Sequence, residues 1–449
     1  MKISSDVVLI TNISVIDATG SPPQEGMNVL IEDGYISALS TEPIPAKADV
    51  AIDGSGQFLI PGLWDMHVHW YEKDYLSLFI ANGVTGVRQM WGSPVHYQWK
   101  TRINYEPEFV SPRMLVASTI IDGPNEYLPT ALVATNASEG RRYVRRFHEM
   151  GADFIKVYNS LSRDAYFAIA DESRALGIPF AGHLPWAIAA PEASDAGHRS
   201  FEHLMGMSHA LAAQGSLREF LATTKATDDI EWSTDFIEGY DPVRASDLFD
   251  RFKKNDSWQC PTLTYQRNLA TYPERVGLDR DRLAFLPQFL IDTWDPSKNP
   301  GYSGYIKARV VQVNQIELEH YKFITGQMSA AGVRIIAGTD VLNPYCFPGF
   351  SLHDELQLLV EAGLTPMQAI QAATRSAAEF SGRLDLLGTV EVGKIADLVI
   401  LSANPLDDIE NTTKISNVIF NGRVNTRVEL DAMLGQAHDK ARASDTRDA

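Results

Sequence analysis

Two histidines, His67 and His69, stand one residue apart at the end of the apolar run "IPGLWDMHVHW", residues 60–70. Side chains in a β-strand repeat every second residue, so both imidazoles face one way. An apolar strand entered through Pro61-Gly62 is expected to be buried. Two buried imidazoles side by side are satisfied either by a metal ion or by hydrogen bonding as a pair of core histidines. Spacing alone does not choose between these, but the rest of the chain adds company. Lys156 in "DFIKVY", His183 in "FAGHLP", His203 in "SFEHL" and Asp340 in "IIAGTD" each close an apolar run. A lysine inside a covered strand costs free energy as an ammonium and would repel cations held by histidines. Burial eases loss of its proton, and the amine can then take up carbon dioxide as a carbamate, an anionic bridging ligand for two ions. The competing reading pairs Lys156 with Asp340 or another carboxylate; the four histidines favour the carbamate.

The elements that would bring these residues together alternate between strand and helix from residue 60 onward. Strands are expected at "LWDMHVH", "TGVRQM", "RMLVASTIID", "ADFIKVY", "PFAGHLP", "SFEHL", "WQCPTLTY" and "VRIIAGTD". Helices are expected between them, for example "SEGRRYVRRFHEMG", capped by Ser138 and stopped by Gly151, and the one opened by Thr365-Pro366-Met367-Gln368. Eight parallel strands with intervening helices read as an α/β chain with a (β/α)8 TIM barrel over residues 60–385. Catalytic groups of such barrels gather at the strand C-termini. Residues 1–59 and 386–435 are both rich in short strands and turn signals such as Asp33-Gly34, and read as a small β-sandwich domain shared by the chain ends. Two intervals are too long for simple connections and are assigned lid insertions near residues 210–255 and 266–330. Residues 436–449 read as a polar, frayed tail.

The formal net charge of −18 argues against nucleic acid and anionic membrane surfaces as partners. Only two cysteines occur, Cys260 and Cys346, which excludes a disulfide framework and a thiolate zinc cluster. The first residues alternate like a strand and lack the apolar core of a secretory signal, and no run is long enough to span a bilayer. A cytoplasmic protein is expected.

Residues 57–70 and 334–410, together with the strand ends between them, resemble the metal-dependent amidohydrolase superfamily. The stretch "EVGKIADLVILSANPLDDI" is similar to the segment that returns such chains to their small β domain. Within the superfamily the sequence looks most like the imidazolonepropionase-related prolidase branch, with its dipeptidases and ochratoxinase-like amide hydrolases. The resemblance implies that His67 and His69 hold the more buried of two divalent ions, zinc being the expected metal, and that His183 and His203 hold the more exposed one. Carboxylated Lys156 would bridge them, and Asp340 would bind the buried ion and act as the catalytic proton shuttle. The implied reaction is cleavage of a peptide-like amide, in a dipeptide, an N-acyl amino acid or an ochratoxin-like compound, by attack of a bridging hydroxide. A small-molecule amide substrate and a homo-oligomer are expected.

Alternatives differ at named positions. A mononuclear deaminase or imidazolone-type cyclic amidohydrolase would place a glutamate three residues after the fifth-strand histidine, where Trp186 stands. Dihydroorotase-like relatives put an arginine soon after the paired histidines, where Trp70 stands. Lactonase or phosphotriesterase activity would use the same ligands. A non-catalytic scaffold would have lost ligands, and this chain keeps them all. Tyr158, His353 and Arg88 are candidates to hold a substrate carboxylate or carbonyl. Against this, Tyr158 could serve packing, Arg88 could pair with Asp65 or Glu202, and His353 could be a surface residue at a helix start. Trp70, Trp91, Trp186, Tyr345 and Phe347 are expected at the mouth as an apolar pocket. His96, His148, His198, His209, His320 and His438 are assigned no chemistry.

Overall fold

A computed structural model describes residues 6–106, 109–124, 128, 130–213, 237–304 and 306–445. The two chain ends share one mixed sheet. Val8–Val15 lies between Gln24–Glu32, antiparallel to it, and the parallel Phe58–Pro61 and Val50–Asp53. Phe58–Pro61 in turn pairs antiparallel with Leu398–Leu401, followed by Ile415–Phe420 and Arg423–Thr426. Alternating burial along Val8–Val15 puts Val8, Ile10, Ile13 and Val15 in one apolar cluster with Leu398, Ile400 and Ile419. Gln24–Glu32 and Tyr35–Ser40 are joined across Asp33-Gly34, both at positive φ (50° and 72°), the geometry a tight hairpin demands and glycine tolerates.

Between the ends run parallel strands separated by helices, a TIM-barrel-like α/β arrangement. Leu63–Val68, Val84–Gln89 and Arg113–Val116 form one parallel sheet, and Ile155–Val157, Phe180–Gly182, His198–Glu202 and Trp258–Cys260 lie in another. The expected third strand over residues 113–122 is interrupted: Arg113–Val116 stays in the first sheet, while Ile121–Asp122 joins the second. A single bridge, Ala117 with Phe154, links the sheets on one flank; on the other, Gln259 bridges Ile335 and Val68 bridges Val341, both in the eighth segment. The eighth segment is not a regular strand. Residues 334–340 hydrogen-bond outward on both sides, Gln259 N to Arg334 O (2.9 Å) and Met66 N to Ala337 O (2.8 Å), and no continuous eight-stranded ladder forms among the described residues.

Helix ends follow local chemistry. The helix Ala137–Glu149 is capped by Asn136, whose side chain accepts from Glu139 N, so the cap lies two residues before the expected Ser138. Thr365 and Gln368 form the expected capping box on Pro366–Ala372. Both expected insertions are narrower than their intervals. Pro242–Lys254 is an ordinary connecting helix that buries Ala245, Leu248, Phe249 and Phe252 before Trp258–Cys260. The 23-residue helix Ala308–Ala330 likewise returns the chain to residue 334, leaving residues 271–307 as the inserted short helical turns. The remainder of the first insertion, residues 214–236, lies outside the described residues. The expected tail is mostly helix: Arg427–Asp445 buries Leu430, Ala437 and Ala441 in the core shared with the Ser77–Ala81 helix, since small and apolar residues recur on one face. Residues 446–449 lie outside the described residues. No described helix is long and apolar enough to cross a membrane.

Candidate metal centre

The C-terminal ends of the parallel strands carry His67 and His69, whose Nε2 atoms lie 3.2 Å apart, as the two-residue repeat requires. Asp340 Oδ1 approaches both, 3.3 Å from His67 Nε2 and 3.1 Å from His69 Nε2. His203 joins from the sixth strand, with Nδ1 3.7 Å from Asp340 Oδ2 and its ring centroid 4.6 Å from that of His67. The His183 ring lies 4.8 Å from that of His203. His203 and Asp340 both have positive φ, 62° and 63°, costly for residues with a Cβ, and each sits where its segment turns out of extended geometry. Close approach of the eighth segment depends on Gly338, where a Cβ would come within 2.6 Å of Cys260 Sγ and 2.8 Å of His67 Cβ.

Lys156 is fully buried, and its Nζ has no hydrogen-bond partner. Burial pushes its ammonium down to about 8, against the opposing pull of Glu202 and Asp340. Its charge bears on His67, His183, His203 and Asp340. Burial, with help from Lys156, holds His67 and His183 well below the usual histidine range, and burial brings His203 to about 4. Burial would raise Asp340, yet His203, His69 and Lys156 together keep it below the usual carboxylate range.

The ring tautomers follow from the other side of each imidazole. His67 Nδ1 lies 2.7 Å from Glu202 Oε2, His183 Nδ1 2.8 Å from Asn159 Oδ1, and His203 Nδ1 2.7 Å from the Thr262 hydroxyl. A neutral His67 that donates from Nδ1 to Glu202 presents a bare lone pair on Nε2. That lone pair faces His69 Nε2 and Asp340 Oδ1, the latter a buried oxygen with no hydrogen-bond partner. Acceptors converging in a buried place repel one another unless a cation lies among them, and imidazole nitrogen with carboxylate oxygen suits zinc or a similar divalent ion. The residues present fit a metal. His67, His203 and Asp340 offer ligand atoms all within 4.8 Å of one another.

Other expected contacts fall elsewhere. Arg88 is fully buried and cannot meet a substrate: its Nε donates to Met66 O, its guanidinium spans both oxygens of Glu202 at 2.9 Å, and Phe154 and Phe380 flank it. His353 is buried with both ring nitrogens engaged, to the Thr412 hydroxyl (2.9 Å) and Asn82 O (3.0 Å). Trp70, Tyr345 and Phe347 are core residues, 1–5% exposed, because the segments that carry them fold back onto Phe79 and Trp294. Tyr158 does reach the centre, stacking on His183 at 4.1 Å between centroids, and Trp91 stands edge-on to His69 at 6.2 Å. Sequence reasoning missed Tyr265, whose ring lies 6.0 Å from that of His203. It also missed Asn159, Thr262 and the contact of Glu202 with His67. A polar residue next to each expected ligand was the available signal for Glu202 alone.

The chain is similar to known proteins over part of its sequence and across its fold. The profile described as amidohydrolase family matches residues 319–424. Ochratoxinase from Aspergillus niger is 37% identical over 109 residues, 24% of this chain and 22% of that protein, so the match spans about a fifth of the relative's length. Among solved structures, bottromycin amidohydrolase has a TM-score of 0.76 at 23% identity, covering 96% of this chain and 90% of that one. A Xaa-Pro dipeptidase with methionine bound in its active site has a TM-score of 0.69 at 20% identity, covering 94% of this chain and 100% of the other. At these identities the structural likeness speaks for the fold.

Proposed function

We propose that the chain is a metal-dependent hydrolase that cleaves a peptide-like amide bond in a small molecule, with two divalent ions, zinc being the favoured metal. His67, His69 and Asp340 would hold the more buried ion, His183 and His203 the other, and Lys156, carboxylated on Nζ, would bridge them. The observation that carries this reading is the convergence of these residues around two buried polar atoms left without hydrogen bonds, Asp340 Oδ1 and Lys156 Nζ. A lysine pushed to about 8 is neutral in about a tenth of molecules at pH 7, far more than an ordinary lysine, and the neutral amine is the form that takes up carbon dioxide. Bound ions of this type polarise a carbonyl and make water a nucleophile near neutral pH. The chain's own groups do the rest. Asp340 accepts a proton at a carboxylate oxygen and returns it to the leaving amine. Tyr158 and Trp91 supply apolar walls on two sides, and the half-covered His69 marks the open side, its side chain 17% exposed. The same reading closes the parallel strands into a (β/α)8 barrel over residues 60–385 and folds residues 1–59 with 386–435 into a β-sandwich; the flank bridges and the shared mixed sheet support it. Screening zinc-loaded protein against dipeptides, N-acyl amino acids, ochratoxin-like amides, lactones and phosphotriesters tests the substrate class. Turnover of amides above the others is expected; turnover confined to lactones or phosphotriesters would overturn it.

A further inference from the structure

Beneath the centre lies a second buried cluster in which Glu202 and Cys260 come near the far side of His67. It could be mistaken for another metal site. Its charges say otherwise: Glu202 is already spanned by Arg88, at 2.9 Å to each oxygen, and also accepts from the Ser200 hydroxyl. Burial pushes the Cys260 thiol well above its ordinary value, so it is no ready thiolate. We propose that Arg88 and Glu202 are positioning residues that fix the tautomer and angle of His67, so that Nε2, and not Nδ1, faces the metal. The proposal rests on the metal reading for its consequence, but the tautomer itself can be read without metal.

The geometry leaves each member one arrangement. Arg88 donates from Nε to Met66 O, the carbonyl just before His67, and from a terminal nitrogen to the Ser200 hydroxyl at 2.8 Å. Its plane lies between Phe154 and Phe380, with the guanidinium carbon 5.5 and 4.9 Å from the two ring centroids, which prevents rotation of the fork. Both Glu202 oxygens accept from Arg88, and Oε2, 2.7 Å from His67 Nδ1, is placed to accept there as well. Glu202 also precedes His203 in the chain, so one carboxylate ties two ligand-bearing segments, those of His67 and His203, to each other. Groups of this kind behind a metal-bound histidine typically set metal affinity by about 10–100-fold.

The test compares the wild type with Glu202→Gln and Glu202→Asp, using nitrogen-15-labelled histidine resonances of the metal-free protein and zinc affinity by competition with a chelator. His67 is expected to show a proton on Nδ1 in the wild type. In Glu202→Gln the amide oxygen is drawn to Arg88, its NH2 turns to His67, and the proton moves to Nε2, with zinc affinity falling about 10–100-fold at unchanged helix content. Glu202→Asp is expected to keep the wild-type tautomer and restore part of the affinity. A wild-type His67 protonated on Nε2, or a folded Glu202→Gln protein with unaltered His67 resonances and zinc affinity, would overturn the proposal. A wild type that binds no zinc would reject the metal reading while leaving the tautomer result to decide this one.

Discussion

Asp340 is held against two imidazoles and close to a third, with one oxygen left without any hydrogen bond. The proposed proton transfer needs that oxygen to be basic, and an amide in its place keeps the shape without the charge. Asp340→Asn is therefore expected to fold normally and to lose turnover by about 10²–10⁴-fold, checked by single-substrate kinetics beside a thermal melt. The convergence of His67, His69, His203 and Asp340 was legible at the residue scale, because each stands at the end of an apolar run. For Arg88 the competing reading, a pair with Glu202, is the one the structure shows; His353 was misjudged because its partners, Thr412 and Asn82, come from segments far away in the chain. Alternation also hid Glu202. Neighbours in a strand point to opposite faces, and only the positive φ at His203 lets both residues serve the same region.

At the scale of elements, the helix Leu263–Ala270 starts beside the centre and is held there by a carboxylate from another helix. Glu355, on Phe350–Glu361, accepts from the backbone nitrogens of Leu263 (3.1 Å) and Thr264 (2.7 Å) and is fully buried. Burial raises its carboxyl to about 7 even though these donors favour the anion. Below its unfolded value, near 4.5, both folded and unfolded forms carry the proton and the favourable contribution is complete. As pH climbs from there to about 7, the unfolded chain releases its proton first, so that contribution fades. Wild-type protein should lose roughly 2–3 kcal/mol more stability across that window than Glu355→Gln, read from denaturant melts at several pH values. Parallel slopes for the two proteins would show that Glu355 does not hold its proton. Element boundaries were less legible than element types. The segment over residues 334–340 has the composition of a strand, yet it is interrupted because Asp340 must turn to face the histidines, and composition carries no record of that turn.

Across the whole molecule, one buried ion pair joins the first parallel sheet to the sheet built from the chain ends. Arg113, at the start of Arg113–Val116, bonds Asp397 through Nε (2.5 Å) and a terminal nitrogen (3.0 Å), and also reaches Asn421 Oδ1. Asp397 further accepts from Asn421 N, and its carbonyl accepts from Gly62 N, a few residues before His67. Asp397→Ala takes the carboxylate from a buried guanidinium and should cost about 3–5 kcal/mol, with both regions melting in one transition by calorimetry. Two resolved transitions in the wild type would mean that the regions fold independently. The pairing of distant ends was legible from matching strand texture. The packing of Arg427–Asp445 was not, because a largely polar helix shows its few buried contacts, Leu430, Ala437 and Ala441, only against a surface to meet. The central claim is a two-ion centre bridged through Lys156, and elemental analysis after zinc and bicarbonate reconstitution meets it most directly. Two zinc equivalents per wild-type chain, falling to one or fewer in folded Lys156→Ala, are predicted; a wild type that retains no zinc, or a Lys156→Ala protein that keeps both equivalents, would contradict it.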